Sequence, residues 1–128
     1  MTETYALHGE IDFAVTFISP DRTLGEMPVQ PGILNPFGTV HAGALIWFAD
    51  VLATRHVFGD GAVEAGMASF PVAVTLNAQL LSNRNDGVLT GESAWVKKGR
   101  RVSTVRTLVS GPDGKVLLDL TSTHVSAR

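Results

Sequence analysis

Asp50 sits inside a run of apolar residues, Ala44-Leu45-Ile46-Trp47-Phe48-Ala49 before it and Val51-Leu52-Ala53 after it, and so needs a chemical reason. Taking a carboxylate out of water is costly or raises its pKa. A carboxylate placed here is therefore either satisfied by backbone or partner groups or kept as a tuned general base or nucleophile. Thr54 follows one helical turn later on the same face, where its hydroxyl holds a water against the carboxylate or bonds back to the Asp50 carbonyl. Upstream, Val40-His41-Ala42-Gly43 would open the same helix with backbone N–H groups that have no intrahelical acceptor. The small side chains of Ala42 and Gly43 let a carbonyl oxygen approach those donors, the arrangement of an oxyanion hole, worth about 3–4 kcal/mol per donor when charge develops on that oxygen. His41 is equally a loop-fixing donor or a catalytic residue. Asn35, in the preceding loop, either donates its amide to the same carbonyl or caps the turn at Pro36.

These residues need a scaffold. The helix is predicted over residues 39–58, stopped by Gly59-Asp60-Gly61, and its apolar character on nearly every face predicts protein on all sides. Before it, Ile11, Phe13, Val15 and Phe17 alternate, which predicts a half-buried strand over 10–18. Residues 25–38 carry Pro28, Pro31 and Pro36 and read as a short extended piece and a loop. After the helix, 70–81 is β-rich and 82–87 is dense in turn formers. The runs 88–96, 102–110 and 116–125 follow, divided by hairpin-like breaks at 97–101 and 111–115. One strand, a loop, one helix and four antiparallel strands make an α+β layer, a curved sheet wrapped around a single helix. Such a layer leaves the sheet's other face and its edges unsatisfied, which predicts at least a dimer.

Composition narrows the function classes. The 128 residues fit a single domain spanning 1–128, and 45% hydrophobic with 17% charged residues supplies a core and excludes a disordered chain. The net charge of −2, made of interspersed acids and bases, gives no field for nucleic acid or an anionic membrane, so an anionic ligand must be held locally. With no cysteine there is no disulfide, thiolate metal site or cysteine nucleophile; with no signal-peptide pattern and no membrane span, a cytoplasmic location is expected. No Gly-x-Ser-x-Gly elbow exists, and His8, His41, His56 and His124 lack metal-ligand spacing.

Taken together, Asn35-Pro36-Phe37-Gly38-Thr39-Val40-His41-Ala42-Gly43 and then Asp50 closely resemble the active-site segment of hotdog-fold thioesterases of the phenylacetate-degradation type, in the 4-hydroxybenzoyl-CoA thioesterase superfamily. The resemblance extends to the strand 74–81, to 87–92 and to the turns Lys98-Gly99-Arg100 and Asp113-Gly114. It implies that Asn35 and the Ala42 N–H polarise a thioester carbonyl while Asp50 activates water or attacks directly, with Thr54 matching a water-orienting threonine of one branch. It also implies that each site is shared between two subunits of a homodimer, so that Asp50 acts on a carbonyl held by the other chain; a dimer of dimers is common among relatives. Ala42 departs from the first glycine of the family's His-Gly-Gly. Ala73 stands where some relatives carry a water-orienting serine, leaving Thr54 or Ser69 as replacements, and Leu80-Leu81-Ser82-Asn83 replaces an aromatic, arginine and proline.

The implied reaction is hydrolysis of an acyl-CoA, aromatic or short- to medium-chain, to a carboxylic acid and free CoA, with no metal or redox cofactor. Arg84, Lys97, Lys98, Arg100 and Arg101 are candidates for the CoA phosphates, although a basic hairpin tip is also an ordinary solvated surface. Phe37, Trp47 and Phe48 either line an acyl pocket or pack in a core or interface. Two alternatives stand beside this: a protein that binds acyl-CoA without catalysis, and a hotdog hydroxyacyl dehydratase, whose loop residues 27–34 faintly resemble. The latter needs a histidine ahead of that loop, and His8 is far off in sequence.

Overall fold

The computed structural model describes residues 9–126 apart from residue 63 and residues 67–69. Among the described residues two strands precede the helix, β1 (Ala14–Ile18) and β2 (Arg22–Pro28), paired antiparallel. The Ser19 hydroxyl closes their turn by accepting from the N–H groups of Asp21 and Arg22, at 3.3 and 3.1 Å. The expected strand over 10–18 thus begins at Ala14, and the short extended piece expected from residue 25 is the end of a full strand, β2, that starts at Arg22. Its inward positions are Thr23, Gly25 and Met27, so a hydroxyl and a glycine occupy places where the period-two pattern would show large apolar residues.

The helix α1 spans Ala42–Phe58, later than the predicted start at 39. Val40 is held first: its N–H donates to the Asn83 side chain at 3.0 Å, and the Asn83 amide donates back to its carbonyl at 2.8 Å. His41 is extended at φ −67° and ψ 135°, so it is the cap rather than a turn of helix. At the far end Gly59 adopts φ 95° and donates to the Arg55 carbonyl at 2.7 Å, a conformation that favours glycine.

Four strands follow, β3 (Pro71–Leu80), β4 (Val88–Lys97), β5 (Val102–Ser110) and β6 (Val116–Ser126). The sheet is antiparallel in the order β1-β2-β4-β5-β6-β3, with six strands instead of the expected five. Both expected hairpins form, β4 to β5 and β5 to β6. The turn after β3 leads elsewhere: β3 pairs with β6 and forms the sheet's far edge.

α1 lies on the concave face and buries Ala44, Leu45, Phe48, Ala49, Leu52, Ala53 and His56 against it. The expectation of protein on every side fails for one chain, because Gly43 and Trp47, the latter 48% exposed, face outward on the opposite stripe. The sheet's convex face is also less needy than expected. It carries Glu92, Thr121 and the Arg106–Asp119 pair, bonded at 3.0 and 2.7 Å, and can face water. The unsatisfied apolar surface is the open stripe of α1 and edge strand β3, where Val72, Val74 and Leu76 are about half exposed.

Close approach of helix to sheet depends on two glycines facing each other, Gly25 on β2 and Gly91 on β4. A Cβ on Gly91 would collide with Leu52 and meet the Phe48 ring at 3.1 Å, and both side chains are fully buried. Gly91→Val is expected to destabilise the fold by about 1–3 kcal/mol through overpacking. A denaturant titration checks this; a midpoint equal to that of the parent would show that the helix can lift without penalty.

Candidate active site

Asp50 points from the middle of α1 toward β3, where a cavity of about 620 Å³ is lined by Asp50, Val51, Thr54, Arg55, Phe70, Pro71, Val72 and Ala73. A bulge in β3 between Ala73 and Thr75 adjoins this wall. The carboxylate is half-buried rather than enclosed, but its Oδ1 is sealed from solvent and has no hydrogen-bond partner among the described residues. Burial pushes its pKa above the ordinary 3.8, and the neighbouring His124 draws it partly back. Thr54 lines the same cavity, and its hydroxyl makes no bond back to the Asp50 carbonyl. Ala73 is there too, at the place where the resemblance has a serine; Ser69 lies outside the described residues, as does His8.

His124 was not among the expected site residues. On β6, Leu118, Leu120, Ser122 and His124 all point inward, and His124 stands opposite Ala73 of the cavity wall. Its Nε2 lies 2.8 Å from the Ser122 hydroxyl, and its Nδ1 is buried without a partner among the described residues. Burial lowers its pKa below 6.5, opposed by Asp50. The inward position was legible in the alternation of β6, but metal spacing alone says nothing about a histidine on a strand that lies near an acid on the helix packed over it.

At the helix N-terminus, Gly43 is exposed, and a Cβ added to it would meet nothing within 4 Å. The first-turn N–H groups of Ala42 and Gly43 have no acceptor among the described residues. The His41 side chain is exposed and caps nothing; its backbone N–H fixes the loop instead, donating to the Ile33 carbonyl at 2.7 Å. Asn35 serves its own loop. Its Oδ1 accepts from the N–H groups of Phe37 and Thr39 at 2.9 and 3.2 Å, and its amide donates to the Thr39 hydroxyl at 2.9 Å. At a rise of about 1.5 Å per residue, Asp50 stands roughly 12 Å along the helix from Ala42. One chain does not bring the acid to its own N–H donors.

The remaining candidates are dispersed. Phe48 is fully buried core, Trp47 stacks edge-on against Phe13 at 4.9 Å while half exposed, and Phe37 is 91% exposed. Arg84 is occupied: it pairs with Asp86 at 3.1 Å and Asp113 at 3.4 Å, tying two turns together beside the helix N-terminus. Lys97, Lys98, Arg100 and Arg101 lie at the opposite end, in the exposed β4–β5 hairpin. There the Lys98 ammonium sits 5.5 Å over Trp95, which packs on His56 at 4.5 Å. The expected basic set is thus divided between the two ends of the molecule. A separate cavity of about 300 Å³ lies beside His56, Phe58, Trp95 and Lys98, and His56 itself is tied to the Thr23 hydroxyl at 2.9 Å.

No protein-family model matches the chain, and no curated protein matches it in sequence. Solved structures do match. A thioesterase of Haemophilus influenzae is 18% identical over 89% of this chain and 77% of that one, with a TM-score of 0.78. A mutant thioesterase of Pseudomonas aeruginosa is 24% identical over 91% of this chain and 80% of that one, at 0.76. A hypothetical thioesterase of Streptococcus pneumoniae, solved with coenzyme A, is 18% identical over 90% of this chain and 85% of that one, at 0.78. What these proteins share with the chain is its architecture, a curved antiparallel sheet wrapped on one helix, and the fold of this protein is the hotdog fold.

Proposed function

We propose that the protein is an acyl-CoA thioesterase, hydrolysing an aromatic or short- to medium-chain acyl-CoA to a carboxylic acid and free CoA. The observation that carries this is a half-buried carboxylate with a raised pKa opening on a largely apolar cavity beside the Thr54 hydroxyl, which has no partner among the described residues. The fold it shares with thioesterases, one of them solved with coenzyme A, supports the same reading. Asp50 acts as the general base: it takes a proton from a water held beside Thr54 while the water oxygen bonds to the thioester carbonyl carbon. The carbonyl oxygen gathers charge against the N–H groups of Ala42 and Gly43. The carbon–sulfur bond then breaks, and the proton from Asp50 returns to the departing thiolate.

The site is completed by a second copy of the chain. The roughly 12 Å between Asp50 and Ala42 supports this, as do the open stripe of α1 and the apolar edge of β3. Asn35 belongs to the loop that shapes the donor half, and Trp47 and Phe37, exposed in one chain, are available to the acyl group or the partner. Lys97, Lys98, Arg100 and Arg101 are the cations for the CoA phosphates; Arg84, already paired with two carboxylates, is not. A cytoplasmic setting, where acyl-CoA is made and used, belongs to the same reading; no helix among the described residues is long and apolar enough to cross a membrane.

A free-thiol release assay over a panel of aromatic, short- and medium-chain acyl-CoAs tests the proposal. Turnover of at least one member well above the uncatalysed rate is expected. Saturable binding of acyl-CoA with no thiol released from any member would replace the enzyme with a binding protein.

A further inference from the structure

Arg55 lines the Asp50 cavity and has no task in the hydrolysis proposed above. It is part-buried, and no carboxylate pairs with it among the described residues. The other described arginines are accounted for. Arg22, Arg84 and Arg106 each pair with an acid, while Arg100 and Arg101 lie exposed in the β4–β5 hairpin. The Arg55 guanidinium is held by its own frame instead: Nη2 donates to the Gly61 carbonyl at 3.3 Å, and Cζ lies 5.4 Å from the centre of the Phe58 ring. Phe58 in turn packs on Phe70 at 5.2 Å, and Phe70 lines the cavity together with Arg55. The remaining N–H groups of the fork have no acceptor among the described residues.

Beyond Asp50, Thr54 and Arg55 the wall is apolar, made of Val51, Phe70, Pro71, Val72 and Ala73. A plain alkyl or aryl acyl group laid on it would strip water from the guanidinium and give it no partner, which costs binding. An acyl group ending in a carboxylate covers the same apolar wall and pairs with the fork. Along α1, Arg55 stands roughly 7.5 Å beyond Asp50, away from the helix N-terminus, and no ion pair joins the two, so the acid and the cation leave room for a short chain between them. We infer that Arg55 selects the acyl group: the cavity takes an acyl-CoA whose short chain ends in a carboxylate, and hydrolysis releases a dicarboxylic acid and free CoA. The inference rests on the hydrolysis proposed above and narrows its substrate. The phosphates of CoA are the other anions within the chemistry of a guanidinium, but one cation on an apolar wall suits a chain with one terminal charge, and the exposed hairpin already offers Lys97, Lys98, Arg100 and Arg101 together.

The test compares thioesters of equal chain length, glutaryl-CoA against pentanoyl-CoA and adipyl-CoA against hexanoyl-CoA, on the parent, Arg55→Gln and Arg55→Lys. In the parent, kcat/KM is expected to be at least about 10-fold higher for the carboxylated member of one pair or both. Arg55→Gln is expected to lower that value by about 10–100-fold, the loss of one charge-assisted pair, and to leave the methyl-terminated member within about 3-fold of the parent. Arg55→Lys keeps the charge without the planar fork and should retain part of the preference. A parent with no preference for the carboxylated member overturns the inference. So does an equal loss on both members in Arg55→Gln, which would assign Arg55 to CoA or to support of the Gly61 loop. If the parent turns over no member of either pair, the hydrolytic reading falls by itself, and the same comparison made on Kd by calorimetry decides whether Arg55 selects a terminal carboxylate.

Discussion

Asp50→Asn is expected to fold, to bind acyl-CoA, and to lose hydrolysis by on the order of 10²–10⁴-fold in kcat, the range carried by a positioned general base. The amide keeps the size and hydrogen-bonding reach of the carboxylate but cannot take a proton from water. The same variant should be the more heat-stable protein at neutral pH. Because burial raises the Asp50 pKa in the folded state, its contribution to stability is fully present below the unfolded value near 3.8 and is lost as pH rises through the folded pKa. At pH 7–8 the parent fold therefore carries the cost of an ionised, half-buried carboxylate that asparagine does not. The comparison belongs a full unit above the ordinary histidine value, from about pH 7.5, where His56 and His124, both lowered by burial, are largely neutral folded and unfolded and add little pH dependence of their own. Thermal melts and initial rates on one preparation check both halves. Unchanged turnover would remove Asp50 from the mechanism, and a lower melting temperature would mean that the carboxylate is better satisfied than its sealed Oδ1 implies.

How much of this was legible depends on whether the signal was local. The helix showed as an apolar run ended by glycines, and β4, β5 and β6 showed because their turns use Gly99, Gly111 and Gly114; the last is at φ 83°. β2 was hidden because Thr23 and Gly25 fill inward positions, and Gly25 is small for the sake of Leu52 on a helix not yet formed in sequence order. The partner of β3 was hidden for a different reason. The pattern identifies a strand, but its pairing with β6 instead of β4 is set by how the whole sheet wraps the helix, which no local turn encodes.

The candidate site divides along the same line. Asp50 was visible as a charge where none is expected, and Thr54 came with it by helical spacing. Asn35 was read as a carbonyl donor by resemblance, and the structure gives it the turn-capping bonds that its place before Pro36 also predicts. The alternation of β6 turns His124 inward, but its nearness to Asp50 comes from β6 lying under α1, a relation that local spacing does not encode. Arg84 and the basic hairpin looked alike as charges and differ in space, one bound between two aspartates and the other at the opposite end of the molecule.

The distance between Asp50 and the helix N-terminus leads to a sharper experiment than loss of activity. Ala42 is the first residue of α1, a position where proline is well tolerated because the N–H it lacks has no intrahelical role, and His41 before it is already extended, as a residue preceding proline must be. Ala42→Pro should therefore keep the fold and its melting temperature while deleting one proposed oxyanion donor, lowering kcat by on the order of 10²–10³-fold. Ala42→Pro and Asp50→Asn are then both nearly inactive, for opposite reasons. If each site combines the acid of one chain with the donors of another, a mixed dimer of the two variants has one site carrying both defects and one carrying neither. After equimolar mixing and subunit exchange, half the dimers are mixed and half of their sites are intact, so about a quarter of the parent activity returns. A site contained within one chain predicts no recovery at all, since every chain in the mixture carries one of the two lesions. Mixing without exchange is the control for additive residual rates. Recovery that depends on exchange would make the second chain a part of the active site, and its absence with exchange verified by mass-labelled chains would return Asp50 and Ala42 to a single subunit.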